Sequence, residues 1–150
     1  MSHVRTQIRS AIVSRLTGLT TTGSRVYPSR IYPLADENLP CLAVYLDEEE
    51  ISTESIGTNA PLDRMADLKI KVCAKSSTTL DATLDGILAE VETAIGTAPD
   101  QTFGNLLKMS PLPVNITVDM EDTLEKPVGI AIITYRINYF TAASNPALAI

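Results

Sequence analysis

Val128-Gly129-Ile130-Ala131-Ile132-Ile133-Thr134-Tyr135-Arg136-Ile137-Asn138-Tyr139-Phe140 is the longest strongly apolar run in the chain. It is rich in β-branched and aromatic residues, which suit a pleated, half-buried surface. In its second half Ile133, Tyr135, Ile137 and Tyr139 fall on one face and Thr134, Arg136 and Asn138 on the other. Its first half, Ile130 to Ile133, is apolar on both faces. The pattern predicts a long strand, buried on both sides at its start and wetted on one side at its end.

The run before it supplies a partner. Val114, Ile116, Val118 and Met120 alternate with Asn115, Thr117, Asp119 and Glu121, a one-sided strand. The charged turn 121–127 then predicts antiparallel pairing of the two. Further upstream, Ala66, Leu68, Ile70, Val72 and Ala74 face in while Asp67, Lys69 and Lys71 face out, a strand with a charged outer face. Cys41-Leu42-Ala43-Val44-Tyr45-Leu46 is nearly all apolar and reads as a central strand. Arg25-Val26-Tyr27-Pro28 and Ile31-Tyr32-Pro33-Leu34 carry prolines that remove ladder donors, so this segment is an edge strand or an extended linker.

Two helices complete the chain. Val4, Ile8, Ile12 and Leu16 recur every four residues over 2–17, with Ser2 as N-cap and Gly18 as the stop. Burying that stripe is worth roughly 1.5–3 kcal/mol per large side chain before entropy is counted. Leu80, Leu84, Ile87, Leu88, Val91 and Ile95 make the stripe of the second helix. Thr78 and Asp81 resemble a capping box at its start, and Gly96 and Pro99 end it. A helical turn is expected over 103–108, and the tail 141–150 is expected to fray. Helices and strands do not alternate strictly. The expected fold is therefore α+β: a mainly antiparallel sheet of four to five strands with two helices packed on one face, in a single domain spanning residues 1–150.

Composition limits the function. Of 150 residues, 45% are hydrophobic and 20% charged, which excludes disorder throughout. The formal net charge of −6 leaves no basic footprint for nucleic acid at whole-chain level. Cys41 and Cys73, both in strand-like runs, read as buried reduced thiols, too few for a disulfide framework or a zinc site. The opening Met1-Ser2-His3-Val4-Arg5 lacks a signal-peptide core, and no apolar run approaches the ~20 residues of a membrane span. The expected compartment is the cytosol.

Charge is unevenly spread. Arg5, Arg9, Arg15, Arg25 and Arg30 lie in the first 30 residues, with no acid among them. Asp36, Glu37, Asp47, Glu48, Glu49, Glu50, Glu54 and Asp63 fall within 36–63, with no base. Two readings stay open: solvated faces, or complementary halves of a head-to-tail contact between subunits. Four adjacent carboxylates repel one another and cannot be buried unpaired, so 47–63 reads as a long exposed arm. Its spacing lacks the pattern and glycine of a calcium loop.

No catalytic constellation emerges. His3 is the single histidine, at the terminus; the glycines are scattered and no paired-cysteine motif occurs. The carboxylate pairs Asp119/Glu121 and Glu48/Glu50 read as solvated strand faces. The sequence assigns no catalytic residue, metal or cofactor, and the chain reads as a non-enzyme.

The whole layout resembles the tail terminator proteins of long-tailed phages, the minor tail protein U family. The resemblance is carried by the helix Val4–Leu16, then Arg25-Val26-Tyr27, then Leu39-Pro40-Cys41-Leu42-Ala43-Val44-Tyr45-Leu46 and the acidic arm after it. It continues in Asp67-Leu68-Lys69-Ile70-Lys71-Val72, the helix opening near Leu80-Asp81, and Ile133-Thr134-Tyr135-Arg136-Ile137. It implies a structural virion protein: a hexameric ring at the head-proximal end of the tail, assembled in the host cytoplasm. Such a ring stops polymerisation of the tail tube protein and docks the head completion or neck protein. DNA passes through its pore without specific binding, and no membrane is involved. In that setting the Arg-rich start and the acidic arm are candidate subunit contacts, and Arg136 is either an inter-subunit or tube contact or a structural ion pair. Two alternatives stay open: another head–tail connector or tail tube protein, and a small cytosolic ligand-binding or regulatory domain.

Overall fold

The computed structural model describes residues 2–29, 39–53, 57, 59–75, 79–121 and 128–150. Helix α1 spans Val4–Leu16, and its four-residue stripe is fully buried. The cap is His3 rather than Ser2: the His3 ring Nδ1 accepts the backbone N–H of Arg5 at 3.0 Å. Helix α2 spans Leu80–Gly96 and buries all six residues of the predicted stripe. Its N-cap position is Thr79, and the capping box proposed on Thr78 lies outside the described residues.

The strands are β1 (Val26–Tyr27), β2 (Cys41–Thr53), β3 (Pro61–Lys75), β4 (Leu112–Glu121), β5 (Val128–Ala142) and β6 (Asn145–Ala149). They form one six-stranded sheet in the order β1-β2-β3-β5-β4, with β6 paired to β5. β1 runs parallel to β2, and every other pairing is antiparallel. The sheet exceeds the expected four to five strands because the tail folds back instead of fraying. Ile150 donates to the Phe140 carbonyl at 3.0 Å, and Gln7 of α1 donates to the Ala147 carbonyl at 2.7 Å.

Register explains the core. Val44, Ile70 and Ile133 stand side by side across β2, β3 and β5, and so do Leu46, Leu68 and Tyr135. These residues face the helices and are buried. α1 packs on β2 and β6, and α2 packs on β3 and β5, so both helices cover one face. On the opposite face Cys41 and Cys73 are cross-strand partners, both buried and not joined in a disulfide. Their mutual hydrogen bond, then burial, pushes the Cys41 thiol up and keeps it protonated.

Three expectations are corrected. Ile130 and Ile132 are half-exposed, because the outer face at the start of β5 carries no second layer of helices. The apolar row of β4 is solvent-facing: Ile116, Val118 and Met120 are 42 to 51% exposed. They pair with Ile133, Ala131 and Gly129 on the helix face, but α2 lies over β3 and β5 and leaves this edge uncovered. Residues 103–105 are not a helical turn. Phe103, Gly104 and Asn105 all have positive φ, and the Asp100 carboxylate collects the N–H groups of Thr102 and Gly104 at 2.9 Å. A side chain that captures local backbone donors competes with helix formation in this way.

Candidate functional site

The acidic run Asp47-Glu48-Glu49-Glu50 lies on β2, paired with β3. Up to Leu46, the even-numbered residues of β2 face the helices. Between the Leu46↔Leu68 and Glu49↔Ala66 pairs, β2 uses three steps where β3 uses two. This bulge inserts one residue and swaps the faces that follow. Glu49 is thereby turned towards the helices, while Glu48 and Glu50 stay outside.

Glu49 is gripped on three sides. Its carboxylate pairs with Arg5 of α1 and with Arg64 of β3, each at 2.9 Å, and accepts the Tyr139 hydroxyl at 2.7 Å. Its side chain is 8% exposed and that of Arg64 is 9% exposed. Arg64 also donates to Thr141 Oγ1 at 3.0 Å, which ties β3 to the end of β5. Burial pushes the Glu49 carboxyl upward, but the Tyr139 and Arg64 hydrogen bonds and the Arg5 charge outweigh it and hold the group below its ordinary range. Burial and the same Glu49 contact push the Tyr139 hydroxyl up.

The two-halves reading placed Arg5 and Glu49 on opposite sides of a subunit contact; within one chain they already pair with each other. Arg15 and Arg25 are also engaged internally. Arg15 Nε donates to the Ala94 carbonyl at 2.7 Å, at the C-terminal end of α2 where a cation is favoured. Arg25 donates to the carbonyls of Pro40 at 2.8 Å and Thr21 at 3.1 Å. Arg9 has a buried Nε without a hydrogen-bond partner among the described residues. Arg30 and Glu54 lie outside the described residues.

The outer face of the sheet is polar. Glu48 and Glu50 line a small depression with Met65, Asp67 and Arg136. Arg136 Nε pairs with Asp67 Oδ1 at 3.1 Å across the β3–β5 ladder, the structural ion pair considered from the sequence. Beside it, Lys69, Asn115, Thr117, Thr134 and Arg136 border a second depression of about 370 Å³ that opens along β4. Lys69 donates to Thr134 Oγ1 at 3.3 Å and lies 4.0 Å from Asp47. Asn138 donates to Asp63 at 2.6 Å.

A separate cleft of about 480 Å³ opens between the end of α1 and α2, bordered by Arg15, Leu19, Glu90 and Thr93. Its charged groups are already engaged, Arg15 on Ala94 and Glu90 on Thr21. Among the described residues no group of three or more His, Cys, Asp or Glu side chains is placed to hold a metal ion. The bulge, which decides which carboxylate turns inward, has no signature in the sequence.

Comparison with known proteins gives one family. Residues 3–139 match the family model for phage minor tail protein U. No curated protein matches the sequence significantly. Among solved structures, a chain from the virion of a native gene transfer agent particle is similar at 18% identity and a TM-score of 0.45. The alignment covers 91% of this chain and 92% of that one.

Proposed function

This chain belongs to the phage minor tail protein U family, and from that premise we propose that it is a ring-forming tail terminator. It caps the tail tube, stops its polymerisation and offers the docking surface for the head completion or neck protein. The observation that carries the reading is the extent of the family match. It runs from His3, which caps α1, to Tyr139, which grips Glu49, and so takes in both helices and the sheet up to the last three residues of β5, leaving out β6. The role is structural and not catalytic. The protein acts in the virion, at the head-proximal end of the tail, after assembly in the host cytoplasm.

The physical properties of the chain support the reading. A closed ring needs a heterologous contact, with two different surfaces on each subunit. The sheet ends in two different edges, β4 on one side and the far half of β2 on the other. A net charge of −6 suits a pore through which DNA slides without sticking. Asp47, Glu48 and Glu50 remain the candidate contacts of the acidic arm, and Arg136 that of the outer face.

The test is electron microscopy of the purified chain mixed with tailless heads and unfinished tail tubes. A terminator caps tubes at one end and restores joining to heads. Long cylinders formed by the chain alone would instead indicate a tube protein. Tubes left bare at both ends would overturn the reading.

A further inference from the structure

Both edges of the sheet expose apolar side chains on the face that carries the helices. At one edge these are Ile116, Val118 and Met120 of β4. At the other it is Ile51 of β2, which is 53% exposed and pairs with Arg64. β4 has β5 on one side and, among the described residues, no strand on the other. β1 pairs only with Leu42 and Ala43, so among the described residues 49–53 of β2 pair with β3 alone, with Glu48 in the bulge beside them. Long open edges with apolar side chains are templates for another strand, and natural proteins cover them.

We propose that β4 of one copy adds to residues 48–53 of β2 in a second copy, so that the sheet continues from subunit to subunit. This names the contact that closes the proposed ring and rests on that reading. Strand direction fits. β2 and β5 run one way, and β3 and β4 run the other. Rotation about an axis along the strands preserves these directions, so β4 meets the neighbour's β2 antiparallel, with paired hydrogen bonds perpendicular to the strands. The helix-side faces match, placing Ile51 against the Ile116–Val118–Met120 row and removing apolar surface from water.

The outer faces match by charge. Glu48 and Glu50 project from β2 on the outer side. On the same side of β4, Asn115 and Thr117 border a depression that also holds Asp67, Lys69 and Arg136, two cations against one carboxylate. Sheet continuation brings the two carboxylates of one copy to the basic side of this depression in the next. Oppositely charged groups in such a contact fix its register and its partner.

The experiment measures native mass for the full chain and for two variants, each damaged at one edge. I116K/V118K alters β4 and I51K alters β2; all three side chains are about half exposed, so both variants keep the fold, which circular dichroism and melting check. The wild type is expected to form an oligomer larger than a dimer. Each variant alone is expected to be monomeric. Mixed together they are expected to give a one-to-one dimer and nothing larger, since each retains one intact edge and only one pairing is possible.

A wild type that stays monomeric, or stops at a symmetric dimer, overturns the proposal. So does a variant that keeps the wild-type mass, or a mixture that stays monomeric. Tube capping separates this from the functional reading. Wild-type rings that cap no tubes sink the terminator reading and leave the edge pairing standing. Normal capping by I116K/V118K sinks the edge pairing alone.

Discussion

At the scale of single residues, Glu49 is the most consequential side chain in the acidic run. Removing its carboxylate leaves Arg64 buried without its counter-charge and Tyr139 without its acceptor. Breaking a buried pair from one side costs about 3–5 kcal/mol, so Glu49→Ala is expected to lose stability of that order in urea unfolding. The pH dependence has a definite sign. The folded-state pKa of Glu49 is below the ordinary value of 4.5. Its contribution is therefore complete above 4.5 and is lost as the pH falls through the depressed folded value. Burial, aided by Arg64, likewise lowers His3 from 6.5, so its share is complete above 6.5 and declines as the pH falls. Acid unfolding of the wild type followed by circular dichroism, against Glu49→Gln, checks the lower step: the variant should lack it. Neither Glu49 nor the His3 cap was legible in the sequence. Among four consecutive acids nothing marks the third as internal, because the choice is made by a bulge in the pairing with β3. A charge run alone reads as solvated, and here it is solvated at every position except the one that three distant residues reach.

At the scale of elements, the helices were legible because a buried stripe repeats every three or four residues whatever lies beneath it. What lies beneath α2 is more specific. A Cβ added to Gly129 on β5 would sit 2.8 Å from Leu84 Cδ1 and 3.0 Å from Leu80 Cγ. Leu84 is 1% exposed, so it has no free space into which to turn. Gly129→Ala is expected to destabilise by about 1–3 kcal/mol through overpacking, read as a lowered melting temperature. Trimming Leu84 to Val should recover part of the loss, since neighbouring sites couple. The acidic strand yields a different expectation. Reversing all of Glu48, Glu49 and Glu50 would destroy the internal grip on Arg64 as well as any contact between copies. The double reversal E48K/E50K touches only outward side chains and should leave unfolding within about 0.5 kcal/mol of the wild type. It should also reduce assembly, measured by sedimentation; unchanged rings would remove these two carboxylates from the contact. Strand β4 shows why alternation misleads at an edge. Its period of two identifies a strand with two faces, and says nothing about whether a helix reaches far enough to cover the apolar one.

At the scale of the whole molecule, the fold class and the β4–β5 pairing could be read from the sequence, because each depends on pattern and on a short connection. The β3–β5 pairing could not, since it joins segments separated by a helix and a strand. That pairing sets the timetable of synthesis. β3 (61–75) is matched along its length by β5 (128–142), which is made after it with a helix and a strand in between. Until β5 emerges, only β1, β2 and β3 among the described strands can pair with one another, and β4 has no strand to hold it in place. Such distant pairing folds slowly, in the range of milliseconds to seconds, because the chain must close long loops before it gains contacts. The consequence is a delay with protective value. The edge of β4 does not exist until β5 has been made, so an unfinished chain presents at most the β2 side of the proposed contact and cannot offer both.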